Sequence, residues 1–478
     1  MRFPGFIGPT YQLSSINYEC QRCINMYPEM DEIHTGKEGE VASLIGTPGL
    51  TLLQTIGSGP IRGVWYTTTG VLYVVSGNTL YSVTSAWVAT SIGTLLTFSG
   101  QVGMADNGFY LVVVDGVNGY YVDFTIPGTL TQITDLNWLG SNVVAYMDGY
   151  FIFCAPKSAE FYLSDLNAVT FNAPANTAKN GFPDNISAIV SNNRNLWLFG
   201  EVTTEVWFDS GDNLNPFQYI SGSMLSYGCA ATYSPAVLFN TVFWLGQDTS
   251  GSGMVFMANG YSPKRISTHA VELAFQSYST ISDAIGFTYQ ENGHQFYILT
   301  FPTANATWGF DCETQMWHER AYLNQGQLQR HRANCYTYAF NSVHLVGDYA
   351  NGNIYQMSSS VYSDNGAAIL RQRVTPHMSK DMVRIFHSSL QLDLETAVGL
   401  DGIQQGTNPQ AMLDWSNDGG HTWSNQMWST MCKIGNTTDR VIWRRLGHSR
   451  NRVYRVSISD PVKVVMIGAE IEVEQGAS

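Results

Sequence analysis

The 478 residues carry 38 Asp and Glu against 24 Lys and Arg, a formal net charge of −14, and charged residues make up only 13%. An acidic chain of this kind is disfavoured as a global nucleic-acid binder, and no run approaches the roughly twenty apolar residues that a membrane-crossing helix needs. With 45 Gly, 26 Tyr and 13% aromatics, the composition favours an all-β chain rich in turns, and the length favours two or three domains.

The opening MRFPGFIGPT lacks the charged-then-apolar pattern of a secretory leader, which implies synthesis in the cytoplasm. Seven cysteines, an odd number spread thinly, read as reduced thiols. Cys20 and Cys23 form one CxxC without a second pair, which reads as two unligated thiols rather than a zinc site; neither metal nor cofactor is expected. Residues 1–55 read as an irregular N-terminal arm, with scattered Pro and Gly, an acidic patch from Glu29 to Glu40 and a closing Gly46-Thr47-Pro48-Gly49 turn.

At Ile61 a pattern begins that then recurs. Val64-Trp65-Tyr66, Val71 to Val75 and Leu80 to Val83 are short strands separated by Thr68-Thr69-Gly70 and Gly77-Asn78 turns, a β-meander too small to bury its own faces. Similar strands start at Phe109, Tyr150, Leu196, Val242, Gln295 and His344, advancing by about 38 to 53 residues. That is the blade length of a β-propeller. The expected architecture is a propeller over 56–365, with seven blades or alternatively six. The polar stretch from Asn324 to Asn334 reads as a loop between the sixth and seventh copies. Beyond Ser358 the period is lost, and longer strands (Val383–Leu394, Ala411–Ser416, Val441–Leu446, Arg452–Ser459, Val462–Glu474) predict a C-terminal β-sandwich over 366–478.

Charge divides the same way. Residues 1–369 hold 12 basic against 27 acidic residues, and 370–478 hold 12 against 11. The dense basic-aromatic run contains Trp443, Arg444, Arg445, Arg450 and Arg452. Alternation predicts Trp443 and Arg445 on one strand face and Arg444 on the other. Contact with DNA phosphates and contact with an acidic neighbouring subunit are the two readings, and the −15 of the remaining chain favours the subunit interface.

No catalytic motif stands out. Ser416-Asn417-Asp418-Gly419-Gly420-His421-Thr422-Trp423 fits the Asp-box S-x-D-x-G-x-x-W, a turn device rather than an active site. Arg62, Arg194, Arg265 and Arg320 lie in different repeats, where convergence on the axis would suit an anionic sugar, and Asp311, Glu313, His318 and Glu319 lie close in sequence. Neither set has the spacing of a catalytic pair, so no enzyme is expected.

Tyr18 to Pro28 (YECQRCINMYP), Gly46-Thr47-Pro48-Gly49-Leu50, Ile61-Arg62-Gly63-Val64, Gly77-Asn78-Thr79-Leu80-Tyr81 and Trp443-Arg444-Arg445-Leu446-Gly447 together resemble the packaged-DNA stabilisation (tail-hub, or head-completion) proteins of short-tailed phages. The resemblance runs in order to Glu472. It implies a structural virion protein of the tail, made in the host cytoplasm, that adds below the portal and adaptor, helps retain packaged DNA, and anchors the tail needle and tailspikes or fibres. It also implies a homo-oligomeric ring, a hexamer by family analogy, near channel DNA without sequence-specific binding, and it carries no catalytic residues. The alternative from the residues is a propeller that binds or cleaves glycans.

Overall fold

The computed structural model describes residues 1–30, 41–171, 176–212, 215–247, 251–340, 342–380, 383–438 and 440–476. Most of the acidic patch expected between Glu29 and Glu40 lies outside them. Six four-stranded antiparallel meanders follow one another over 61–94, 103–132, 144–178, 186–219, 236–265 and 285–324. A seventh, over 333–358, has three strands of its own and takes a fourth, Gly49–Thr55, from the opening segment. The first strand of each meander packs on the first strand of the next, and Ala333–Ala339 returns to Ile61–Tyr66, closing a ring. Asn334 Nδ2 donates to the Ile61 carbonyl across that closure at 2.8 Å.

The recurring aromatic segments are the second strands of the meanders, such as Leu72–Ser76, Tyr110–Val114, Tyr150–Cys154 and Asn195–Gly200. A second strand has a hydrogen-bonded neighbour on each side and an adjoining blade against each face. It is therefore buried all along, and its sequence is a continuous apolar run rather than an alternation. Between blades the side chains interdigitate: Val75 and Leu80 meet Met104, Leu111 and Val113, and Phe161 sets its ring edge-on to Trp207 at 5.3 Å. Each fully buried Val, Leu or Phe contributes roughly 1.5–3 kcal/mol.

The opening segment is not an irregular arm. Cys20–Ile24 pairs antiparallel with Arg371–Val374 and meets Met316–Asn324 in parallel at Ile24 and Glu319, so the sheet of the sixth blade runs unbroken into the first sheet of the C-terminal sandwich. Met26–Met30 pairs with Val41–Gly46, which pairs in turn with Val465–Gln475 in the second sheet. Gly49–Thr55 then becomes the outer strand of the seventh blade. Gly49 has to be glycine, because a Cβ there would stand 2.5 Å from the Val361 carbonyl oxygen. Apart from the pairing of Met26–Met30 with Val41–Gly46, the partners of these short strands lie hundreds of residues away, so no local pattern announces them.

The two sandwich sheets are built on Ile385–Leu394 with Val465–Gln475, and on Gln410–Ser416 with Asn451–Ile458. Leu390, Leu392, Leu413, Trp443, Val456 and Ile471 fill the space between, joined by Phe3 and Phe6 of the opening segment. The sequence from Asn324 to Asn334 is a hairpin rather than a loop: Met316–Asn324 turns at Gln325-Gly326, both at positive φ, into Gln327–Arg330. One short helix, His269–Gln276, lies between the fifth and sixth blades. It is capped by Thr268, whose side chain accepts from the Val271 N–H.

Candidate interaction surface

Val441–Arg444 is an edge strand of the second sandwich sheet, paired with Ile385–Leu394. Trp443 points inward. It is 2% exposed, and its indole N–H donates to the Met427 carbonyl at 3.0 Å. The strand ends at Arg444, and Arg445, at φ +60°, begins the turn, so the expected alternation stops there and both guanidinium groups lie at the surface. Arg450 is exposed as well. Arg452 is not: it is 2% exposed, donates to the Leu446 and His448 carbonyls at 2.6 and 3.1 Å and to Asn417 at 2.8 Å, and lies over the Trp415 ring. Two of the five expected interface residues, Trp443 and Arg452, are therefore taken up by the sandwich's own interior. Arg444, Arg445 and Arg450 form a surface with His448 and the 44%-exposed Phe386, whose rings lie 5.8 Å apart.

The four propeller arginines do not converge on the axis. Arg62 is buried and donates to the carbonyls of Gly77, Thr97, Ser99 and Gly100 at 2.7 to 3.0 Å, clamping the connection between the first two blades. Gly63 beside it lets Val102 approach, since a Cβ would meet that side chain at 2.5 Å. Arg194 pairs with Asp148 at the surface, Arg265 pairs with Glu272 on the helix, and Arg320 is buried against the Tyr289 hydroxyl. The acids near Asp311 are equally local, with Glu319 bound to Arg22 of the opening segment.

Asp311 does belong to a cluster that sequence spacing gave no means of seeing. His294 is held between two carboxylates, Nδ1 2.9 Å from Asp311 and Nε2 2.8 Å from Glu29. Burial alone would lower its pKa, but the hydrogen bonds to Asp311 and Glu29 outweigh that and push it up to about 9. The imidazolium thus ties the opening segment to the sixth blade. Because the folded value lies above the ordinary 6.5, this contribution is complete below pH 6.5 and is lost as pH rises through 9. Discounted because the Glu29 side chain is 37% exposed, the expected fall in unfolding free energy between pH 6.5 and 10 is about 1–2 kcal/mol. Urea titrations of the native chain and His294→Gln check it, since the variant is expected to lose that slope.

The Asp-box turn is a fold device. Ser416 Oγ donates to Asp418 at 2.6 Å and accepts from the Gly420 N–H at 2.7 Å, while Asp418 accepts from the Thr422 N–H and hydroxyl at 2.9 and 2.6 Å. These bonds, that from Ser416 first, hold the Asp418 carboxyl well below the usual carboxylate range. Gly419 and Gly420 take positive φ, and Trp423 receives the Arg455 guanidinium on its face at 4.0 Å. The CxxC thiols are unpaired. Cys23 Sγ donates to the Met26 carbonyl, and Cys20 lies 3.6 Å from His377. Among the described residues no group of His, Cys, Asp or Glu is arranged to hold a metal ion, and no helix is long and apolar enough to cross a membrane.

The architecture is thus a β-propeller fused through a shared sheet to a β-sandwich. Two family models cover it in that order: bacteriophage P22 Gp10, beta-propeller, over residues 1–362, and bacteriophage P22 Gp10, beta-sandwich, over 370–474. The chain belongs to the bacteriophage P22 Gp10 family, and is a phage structural protein of the packaged-DNA stabilisation class. No curated protein matches its sequence. Among solved structures it is similar to a streptogramin B lyase (8% identity, TM-score 0.43, 65% of this chain and 97% of that one). It is also similar to the N-terminal domain of Nup159 (10%, 0.42, 70% and 98%) and to the Pan2 WD40 domain of Neurospora crassa (8%, 0.41, 62% and 89%). These likenesses are too distant to bear on function.

Proposed function

We propose that the chain is the hub of the phage tail: a seven-bladed, non-catalytic protein that adds below the portal and adaptor, helps retain the packaged genome, and anchors the tail needle and tailspikes or fibres. Copies assemble as a ring, a hexamer by family analogy, in which the sandwich of one copy meets the acidic propeller of the next. The observation that carries this reading is the exposed Arg444, Arg445 and Arg450 on the sandwich, in a chain whose first 369 residues hold 12 basic against 27 acidic side chains. Attraction between two such unlike surfaces makes a head-to-tail contact, which generates a ring where the rotation between copies closes. The merged sheet of sixth blade and sandwich supports it further, because it gives a hub two faces held at a fixed angle.

The test is sedimentation of the purified chain and of a triple Arg444, Arg445, Arg450→Glu variant at low and high salt. A ring that dissociates at high salt, with the variant at least tenfold weaker in self-association, is the expected result. Unchanged assembly in the variant removes the interface, and mass spectrometry of purified virions in which the chain is missing removes the tail assignment itself.

A further inference from the structure

On one face of the ring, the first strands of the fifth, sixth, seventh and first blades surround a cavity of about 900 Å³. Its wall is aromatic. Phe287 stacks on Tyr336 with centroids 5.3 Å apart and planes 14° apart, Tyr336 stacks on His344 at 6.0 Å, and Tyr338 closes the series 5.1 Å from His344. The Tyr336 hydroxyl and His344 Nδ1 are 2.9 Å apart, which locks both rings. Opposite stands Trp65, fixed by its indole N–H donating to Asp106 at 2.8 Å. Tyr338 keeps 52% of its surface exposed.

Among these rings sits one carboxylate, Glu291. Its Oε1 accepts from the Ser359 N–H at 2.6 Å, and its Oε2 is itself buried and has no hydrogen-bond partner. Among the described residues that line the cavity there is no Lys or Arg. The Glu291 charge acts through space on Tyr289, Tyr336 and His344, so a cation held against these rings gains twice over: by attraction to the carboxylate behind them and by contact with the ring faces. An anionic ligand would meet the same groups as repulsion. A neutral sugar would stack on the rings but leave the negative charge uncompensated.

We propose that this cavity binds a guanidinium or ammonium side chain presented by a basic peptide segment of a partner protein. The acidic propeller around it would draw such a segment in. The proposal adds a partner site to the tail-hub reading without depending on it, since binding is measured on the purified chain.

Calorimetric titration with acetyl-Gly-Arg-Arg-Gly-amide, and with its citrulline counterpart, which has the same shape but no charge, tests the idea. The arginine peptide is expected to bind at least tenfold more tightly than the citrulline peptide. Tyr338→Ala and Glu291→Gln should each weaken it by about fivefold or more, whereas Asp209→Asn, on the outer part of the fourth blade, should not. Tyr338 is half exposed, so its truncation leaves the core intact, and circular dichroism checks that both variants fold. Equal binding of the two peptides, indifference to both variants, or heat released by maltoheptaose instead would overturn the proposal.

Discussion

Replacing Arg373 with leucine is expected to destabilise the chain by about 3–5 kcal/mol, read as a lowered urea midpoint at unchanged slope. The guanidinium is fully buried and makes five hydrogen bonds: to the carbonyls of Gly5, Phe6, Pro9 and Arg22 at 2.6 to 3.3 Å and to the Gln21 side chain at 2.5 Å. It is the post around which the first twenty-two residues wrap. Leucine fills part of the volume but leaves four backbone acceptors buried without donors, at roughly 1–3 kcal/mol each before relaxation and water entry. Burial already pushes the Arg373 pKa down to about 10, so the site tolerates its charge only because of those acceptors. A change below about 1 kcal/mol would mean that the opening segment is held elsewhere.

Leu50→Asp is expected to be more damaging still and to yield no soluble ring. Leu50 is 1% exposed in the strand that completes the seventh blade, packed with Tyr27, Phe296, Ile298, Val346, Tyr355 and Met357. Losing a buried Leu side chain costs about 2–5 kcal/mol by itself, and placing a carboxylate among those rings adds several more. Together they are comparable with the whole 5–15 kcal/mol stability of a typical domain. The milder Leu50→Ala separates the effects: it should remain soluble, lose about 2–4 kcal/mol, and become sensitive to proteolysis between residues 46 and 60, where the closing strand has loosened. Protease resistance equal to that of the native chain would show that the ring stays closed without this contact.

How much of this was legible beforehand follows from where partners lie in sequence. The blades are local: each strand pairs with one a few residues away, so the Gly-Asn and Asn-Gly turns and the buried second strands, Leu72–Ser76 onward, were readable one repeat at a time. The five sandwich strands expected from sequence lie within two or three residues of observed ones, whereas Arg371–Val374 and Met427–Thr430 of the same domain carried no such signal. The opening segment was not, because Cys20–Ile24, Val41–Gly46 and Gly49–Thr55 pair with residues 371–374, 465–466 and 353–358, and a single sequence carries no sign of such distant pairing. The motifs of the family resemblance now have physical reasons. Arg62 clamps a loop, Gly49 admits a carbonyl, and Trp443 with Leu446 plugs the sandwich.

The same limit explains the surface. A basic-aromatic run shows that charge and rings are near one another, but which of them faces outward depends on where the strand stops. It stops at Arg444, one residue before alternation would have put Arg445 beside Trp443. His294 lay beyond reach for the converse reason. Its partner Glu29 is 265 residues away, and the histidine itself looked like one of ten without ligand spacing.

The late partners of the opening strands also set the order in which the molecule can be made. Val41–Gly46 leaves the ribosome early, yet its neighbour Val465–Gln475 is the last strand of the described residues. At 5–20 residues per second that strand, covered on one side by Met26–Met30, waits roughly 20 to 90 s with its other edge open. The ring of seven blades can close once residues 353–358 are made, but the sandwich waits for residues 465–475. A chain wired in this way completes its sandwich only after its propeller strands have been made, so the two halves mature in a fixed order.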